Sequence, residues 1–285
     1  MTTTAMFADL HMHTTFSDGT FSPEEMAQAA HRHRLACVAL TDHDTIAGCA
    51  RMAAECARLG IEFVQATELT GEVDDVEVHI LGYFLDPTDA HFLSNLVKFQ
   101  HARQNRIHEM AAALQRQGVP LQAEAVFAIA KCESPGRPHV ARALVQAGLC
   151  KSMDEAFERY LKKHRPAWVP KFKISAYDAI ELIHHAGGVA VIAHPALNKS
   201  DDIIPPLVEA GIDGIECFHT RHSTAASQHY MLMAEHYGLA ITGGSDCHGM
   251  NKGKPLMGGI KLPLIHVRQL EARARAVREK TFAAA

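Results

Sequence analysis

The feature that most constrains this chain is a repeating unit: a short apolar run, then one or two histidines or carboxylates, then a helix signal. Residues 6–10 lead into His11 and His13, 37–41 into Asp42-His43-Asp44, and 61–66 into Glu68. Later, 188–193 lead into His194-Pro195, 214–218 into His219, and 239–243 into Ser245-Asp246-Cys247-His248. Residues 76–83 form a further strand, with His79 inside it. Apolar runs without alternation are buried on both faces, as strands of parallel sheets are. The helices between them are marked at their ends. Ser22 and Glu25 form a capping box around Pro23 for a helix to about residue 33, and Gly60 stops an alanine-rich helix at Leu59. Further helices are expected over 175–186, 204–210, 225–237 and 267–280. About seven strand–helix units with right-handed crossovers result, enough for one large α/β domain or for a barrel with an insertion. In such barrels the C-terminal ends of the strands carry the chemistry. The ionisable residues fall at those ends.

One block breaks the alternation. From about residue 90 to 161 only helical periodicity is present: a long helix over about 92–117, then shorter ones near 124–130, 138–147 and 153–161. Helices segregated in this way suggest an inserted subdomain over one end of the sheet. The expected division is a barrel from 1–88 and 174–285 with an all-helical insertion at 89–173.

Composition then narrows the chemistry. Of 285 residues, 20 are histidine, the commonest metal ligand, and this excess favours a metalloenzyme. The formal net charge of −4 gives no general attraction to nucleic acid or a membrane surface. The 7 cysteines include no Cys-x-x-Cys pair, which argues against a disulfide framework or a thiolate zinc site. Cys247 lies between Asp246 and His248, but alternation points it away from both. The first residues carry neither a basic region nor an apolar core of leader length, and no run approaches a membrane span, so the cytoplasm is the expected compartment.

Locally, His11 and His13 are two apart on an extended segment, share a face and can grip one cation. The Ser17-Asp18-Gly19 turn can swing Asp18 toward a second. In the insertion, Ser134, Arg137 and His139 sit at a helix start, where backbone N–H groups and a guanidinium favour an anion. Lys162-Lys163-His164-Arg165 and Lys171-Phe172-Lys173 add positive charge around Trp168. Arg137 and Lys171 are on loops that such an insertion could hang over the barrel mouth. His219, Arg221 and His222 could take a second phosphate or a sugar. His31, His33, His101, His108, His184, His185 and His236 fall on helices and read as ordinary surface residues.

These motifs resemble the PHP (polymerase and histidinol phosphatase) family, which is related to the amidohydrolases. The resemblance rests on Asp9-Leu10-His11-Met12-His13 with Ser17-Asp18-Gly19, on Thr41-Asp42-His43-Asp44, on Glu68 with His79-Ile80-Leu81-Gly82-Tyr83, on Ala193-His194-Pro195, and on Gly244-Ser245-Asp246-Cys247-His248. It implies a distorted (β/α)7 barrel holding two or three divalent ions on His11, His13, Asp18, His43, Glu68, His79, His194, Asp246 and His248. By that likeness His11, His13, Glu68 and Asp246 would hold a first ion. Glu68, His79 and His194 would hold a second, and Asp18, His43 and His248 a third. Nitrogen and oxygen donors without thiolate suit Mn²⁺, Fe²⁺ or Zn²⁺; the family's habit favours manganese.

A pocket of this charge suits hydrolysis of a phosphate ester by metal-activated water. Asp246 and His194 are the expected catalytic side chains, and Asp42 and Asp44 the candidate acids for the leaving oxygen. The Gly136–Arg142 stretch, Gly-Arg-Pro-His-Val-Ala-Arg, is similar to a PHP subgroup of 3′,5′-nucleoside bisphosphate phosphatases and 5′→3′ exonucleases on short RNA. That resemblance implies removal of a 3′-phosphate while the insertion clamps the 5′-phosphate through Ser134, Arg137, His139 and Lys171. Histidinol phosphate would need less clamp than this. An amide hydrolase on the same metals, and a non-enzymatic PHP module, are the competing readings. The expected partner is a small nucleotide or short RNA, with no membrane and no obligate protein partner.

Overall fold

The computed structural model describes residues 6–198 and 200–284. The first five residues of the N-terminal stretch read above as lacking a leader lie outside them. The chain begins with β1 (Phe7–Asp9), α1 (Pro23–Arg32), β2 (Cys37–Leu40) and α2 (Cys49–Leu59). Ser22 caps α1 through the anticipated capping box. β3 (Glu62–Val73) and β4 (Val76–Tyr83) follow, then the helical block α3 (Ala90–Arg116), α4 (Ala123–Ala130), α5 (Arg137–Gln146) and α6 (Met153–Ala156). Strand and helix alternate again through β5 (Ile174–Ser175), α7 (Ala176–His185), β6 (Val189–Ile192), α8 (Ile204–Glu209), β7 (Gly214–His219), α9 (Thr224–Tyr237) and β8 (Ala240–Gly244). β9 (Leu262–Pro263) and α10 (Leu264–Ala284) end it.

The sheet runs β8-β7-β6-β4-β3-β2-β1-β9. It curls until its ends meet: Leu10 N–H donates to the Gly243 carbonyl at 3.1 Å, and Met12 bridges to Cys247. Seven strands, β1 to β4 and β6 to β8, are therefore the staves of a nearly closed (β/α) barrel, with β5 and β9 as short additions.

One stave departs from the expected pattern. β3 does not stop near Glu68 but continues to Val73, and β4 returns antiparallel from Val76. Asp74 and Asp75 turn the hairpin, both with positive φ (47° and 64°), as a two-residue turn of the type I′ class demands. The hairpin has a consequence for the site. Glu68 pairs with Leu81 across the two strands, so His79, two residues from Leu81, shares the face of Glu68. A second departure lies in the helical block, where the expected helix over 153–161 changes at Phe157 into a π-helical turn, Phe157–Leu161.

Each layer is packed by its own apolar set. α7, α8 and α9 cover one flank of the barrel through Ile180, Ile183, Leu207 and Ala234, and α1 and α2 cover another through Met26 and Met52. α10 closes the floor: Val267, Leu270 and Ala274 pack with Cys37, Tyr83 and Val189, at the starts of the parallel strands and the end of β4. The helical block has an apolar cluster of its own, built on Ile107, Met110, Leu114, Val140 and Leu144. Among the described residues no helix is long and apolar enough to cross a membrane. Truncating the fully buried Leu270 to Ala leaves a cavity under the floor, and unfolding by denaturant should show a loss of about 2–5 kcal/mol. Metal binding at low temperature should be retained, because the floor is at the opposite end from the histidines.

Candidate metal centre

At the other end the side chains of His11, His13, His43, Glu68, His79, His194, His219, Asp246 and His248 converge. Three groups have ligand atoms close enough to share a cation: His13, Asp18, His43 and His248; His11, His13 and Asp246; and His43, Glu68 and His79. Glu68 is central. Its Oε1 lies 2.7 Å from His79 Nδ1 and 3.3 Å from His194 Nε2. Its Oε2 lies 3.0 Å from His43 Nδ1, 3.2 Å from His13 Nε2 and 3.5 Å from His11 Nε2. Asp246 approaches His13 at 3.4 Å and His219 at 3.5 Å, and Asp18 approaches His248 at 3.1 Å. The expected nine are thus all present at one site. His43 stands between two of the groups rather than in one.

Local backbone explains the convergence. His194 and Asp246 both have positive φ, 30° and 53°, a strained region for residues with a Cβ. Each turns sharply as its strand ends. Gly244 is required beside them, since a Cβ there would lie 2.2 Å from the His11 Cβ. Gly19 is required for the same kind of reason, its added Cβ falling 2.2 Å from the His13 carbonyl oxygen.

Two buried carboxylates were given no role in the sequence analysis. Glu216, inside β7, lies 2.9 Å from His11 Nδ1 through one oxygen and accepts from the His194 N–H at 2.7 Å through the other. It fixes which nitrogen His11 presents to the centre, the orienting role that carboxylates play behind metal-bound imidazoles. Asp9 accepts from the Ser245 N–H at 2.8 Å, locking β1 to the loop that carries Asp246. The signal was a charged residue within an otherwise apolar buried run, and such a residue must have a buried partner.

The electrostatics suit cations. Burial alone would raise the Glu68 carboxyl, yet His79, His43 and His11 around it hold it well below the usual carboxylate range. Asp18 and Asp246 are held low in the same way, against burial, chiefly by His248. Burial pushes the His43 and His194 imidazoles down, toward the neutral form whose lone pair can coordinate, whereas the neighbouring carboxylates push His11, His13, His79 and His248 up despite burial. Several buried atoms lack hydrogen bonds altogether, among them Asp18 Oδ1, His13 Nδ1, His194 Nδ1 and His219 Nε2. Asp18 Oδ1 has His248 at contact distance but out of alignment. Converging imidazoles, ionised carboxylates and orphaned polar atoms are the donor set that divalent metals fit.

The other sequence-derived residues are placed as follows. Asp42 accepts from the Thr14 N–H at 2.7 Å, the Thr14 hydroxyl and the Ser17 hydroxyl, so both its oxygens hold the loop leading to Asp18. Asp44 pairs with Arg103 at 2.5 Å. Neither carboxylate is turned toward the histidine ring as a free acid. Ser134 donates to the His43 carbonyl, and His139 Nδ1 accepts from the Gly136 N–H at 3.0 Å, so both serve the backbone. Arg137, at the first turn of α5, reaches toward the Leu161 carbonyl at 3.4 Å. Lys171 donates to Glu77 at 2.9 Å and lies 3.2 Å from His79 Nε2. His219 ends β7 beside Asp246, while His222 lies behind it against the Cys217 carbonyl at 3.1 Å. Cys247 is buried in the α1–α2 flank, away from the centre.

The comparisons agree with this geometry. The PHP domain model matches residues 9–167, more than half of the chain. The chain belongs to the PHP family. This PHP protein is 35% identical over 253 residues to a 3′,5′-nucleoside bisphosphate phosphatase of Chromobacterium violaceum, covering 86% of this chain and 88% of the relative. It is 32% identical over 251 residues to the 5′-3′ exoribonuclease Rnm of Escherichia coli, covering 86% of each. Among solved structures, one from Bifidobacterium adolescentis described as a metal-dependent phosphoesterase superposes with a TM-score of 0.86 at 32% identity, covering 95% of this chain and 97% of that one.

Two measurements check the PHP site. Replacing Glu216 by Gln keeps the shape but removes the charge behind His11, and competition with a chelator should show metal affinity falling about 10–100-fold. Burial also pushes the His139 imidazole down to about 4, whereas an ordinary histidine titrates near 6.5. The unfolded chain therefore takes up that proton first, and stability present above 6.5 is lost as pH falls toward 4. Urea midpoints of wild type and His139→Gln should diverge less at pH 4 than at pH 7.

Proposed function

We propose that this protein is a metal-dependent phosphoesterase that removes the 3′-phosphate of nucleoside 3′,5′-bisphosphates, giving a 5′-mononucleotide and phosphate. The observation that carries this reading is the wall facing the donor ring. Arg137 and Lys171, from the helical block and its exit segment, present cations beside Glu77 and His79, and Arg103, paired with Asp44, adds its charge next to Lys171. A single phosphoryl group held at the histidines does not require that wall; a second phosphate on the same substrate does. Similarity over most of the chain to a nucleoside bisphosphate phosphatase supports the substrate class.

The residues take the following roles. His11, His13 and Asp246 with Glu68 would hold one divalent cation, Glu68 with His79 and His194 a second, and Asp18 with His43 and His248 a third, manganese fitting this nitrogen and oxygen set. When bound, such cations neutralise phosphoryl oxygens and acidify water at neutral pH. Glu216 and Asp9 keep the first-strand histidines in register. Asp42, with both oxygens committed, positions the Asp18 loop. Residues 89–173 form a cap that carries the clamp for the 5′-phosphate, in which Arg137 and Lys171 bind and Ser134 and His139 support the backbone. The leaving ribose oxygen faces no free carboxylic acid among Asp42 and Asp44, and its proton comes from solvent within the site.

A second reading, 5′→3′ hydrolysis of short 5′-phosphorylated RNA, uses the same clamp and is favoured by one observation. Phe172, exposed at 56%, is flanked by Lys171 and Lys173 at the edge of the cap, where a further base could stack.

Phosphate release from adenosine 3′,5′-bisphosphate, compared by kcat/KM with histidinol phosphate and a 5′-phosphorylated oligoribonucleotide, tests the assignment. Activity should vanish on chelation and return with Mn²⁺. Asp246→Asn and His194→Ala should each lower kcat by about three orders of magnitude. Arg137→Ala should instead raise KM about tenfold with kcat little changed, because it removes a charge-assisted contact to a group that does not react. An unchanged KM removes Arg137 from the clamp.

A further inference from the structure

The cap presents two unlike walls to the donor ring. Toward His79 it is cationic. Above Asp18 and His248 it is not: a cleft of about 260 Å³ opens there, roofed by Pro138, Met153 and Phe157, with the Asp154 carboxylate at its rim. Arg137 lies between the walls. Its guanidinium carbon is 6.0 Å from the Phe157 ring centroid, and its charge interacts with both Glu77 on one flank and Asp18 on the other. Phe157 is half-buried and opens the π-helical turn Phe157–Leu161, a rare conformation that recurs at functional sites.

The outer part of this cleft suits a phosphate poorly. Asp154 would repel an anion, the walls of Pro138, Met153 and Phe157 offer its oxygens no donors, and the Asn251 amide donates to the Asp18 carbonyl at 2.7 Å. A flat, apolar-faced ring with a polar edge fits all of these features. Its face meets the Phe157 ring and the Met153 side chain, and its amino edge meets Asp154. The cleft is also smaller than the roughly 300–1,000 Å³ of pockets that enclose whole ligands, as a compartment for one part of a substrate would be.

We propose that this cleft is the nucleobase subsite, in which the base of the substrate stacks on Phe157 while its phosphates occupy the metal centre and the cationic wall. The inference rests on the bisphosphate reading and deepens it. Stacking on an aromatic face tolerates every base, so selection among bases falls to Asp154, which accepts from an exocyclic amine and finds no such donor on uracil.

Equilibrium binding separates this from the reaction itself. Calorimetry with Mn²⁺-loaded enzyme compares adenosine 5′-monophosphate with ribose 5-phosphate, which lacks the base. The wild type should bind the nucleotide at least about tenfold more tightly. Phe157→Leu, which keeps apolar volume in the cap, should collapse that gap, and Phe157→Tyr should restore it; thermal denaturation checks that both variants are folded. Asp154→Asn should narrow the preference for adenosine over uridine 5′-monophosphate. An undiminished gap in Phe157→Leu, or no gap in the wild type, overturns the subsite. Failure to release phosphate from adenosine 3′,5′-bisphosphate overturns the proposed reaction instead and leaves the binding comparison to decide the subsite by itself.

Discussion

The site depends on one buried carboxylate surrounded by imidazoles. Glu68 has ring nitrogens of His79, His43, His13, His194 and His11 within 3.5 Å of its two oxygens. A carboxylate this deeply buried is costly unless positive charge compensates it. The five histidines come from β4, from segments after β1 and β2, and from the loop after β6, so the compensation ties together elements far apart in sequence. Positioning Glu68 is what the barrel achieves. The parallel staves deliver it to the active rim, and the β3–β4 hairpin then carries His79 back to the same face.

Much of this was legible in the sequence because ligand types stand at the ends of apolar runs. His11, His13, His43, His194, Asp246 and His248 are each preceded by a run that can only be a buried strand, and topology does the rest. The β3–β4 hairpin was not legible. Residues 61–66 look like a complete strand, and the Asp74-Asp75 turn lacks the glycine that usually announces a type I′ hairpin. Glu216 and Asp9 were hidden for a different reason. Their partners are a ring nitrogen and backbone N–H groups contributed by distant segments, and no local spacing encodes that meeting. Ser134 and His139 were read from a helix start that does suit an anion, but their hydrogen bonds go to the chain's own backbone. Sequence identifies a donor without revealing whether another group has already taken it.

Strain and support are distributed in a consistent way. The unusual dihedrals of His194 and Asp246 occur where a side chain must leave a strand end and turn inward. Around them lie glycines that allow close approach and carboxylates that fix ring orientation. Stability is supplied elsewhere, by the α10 floor and the helical flanks, so the rim is free to keep a dense cluster of histidines and ionised acids.

The attachment of the helical block has one more implication. Ser134 is fastened to the His43 carbonyl, Arg142 to the Asp18 carbonyl and the Asn251 side chain, and Arg103 to Asp44. These anchor points lie on the loops that supply metal donors. Exchange of the block for another, by recombination or by design, would therefore retune the coordination sphere as well as substrate choice. A graft that transferred only the surface-exposed recognition residues, without these fastenings, would inherit a new roof over a loosened centre.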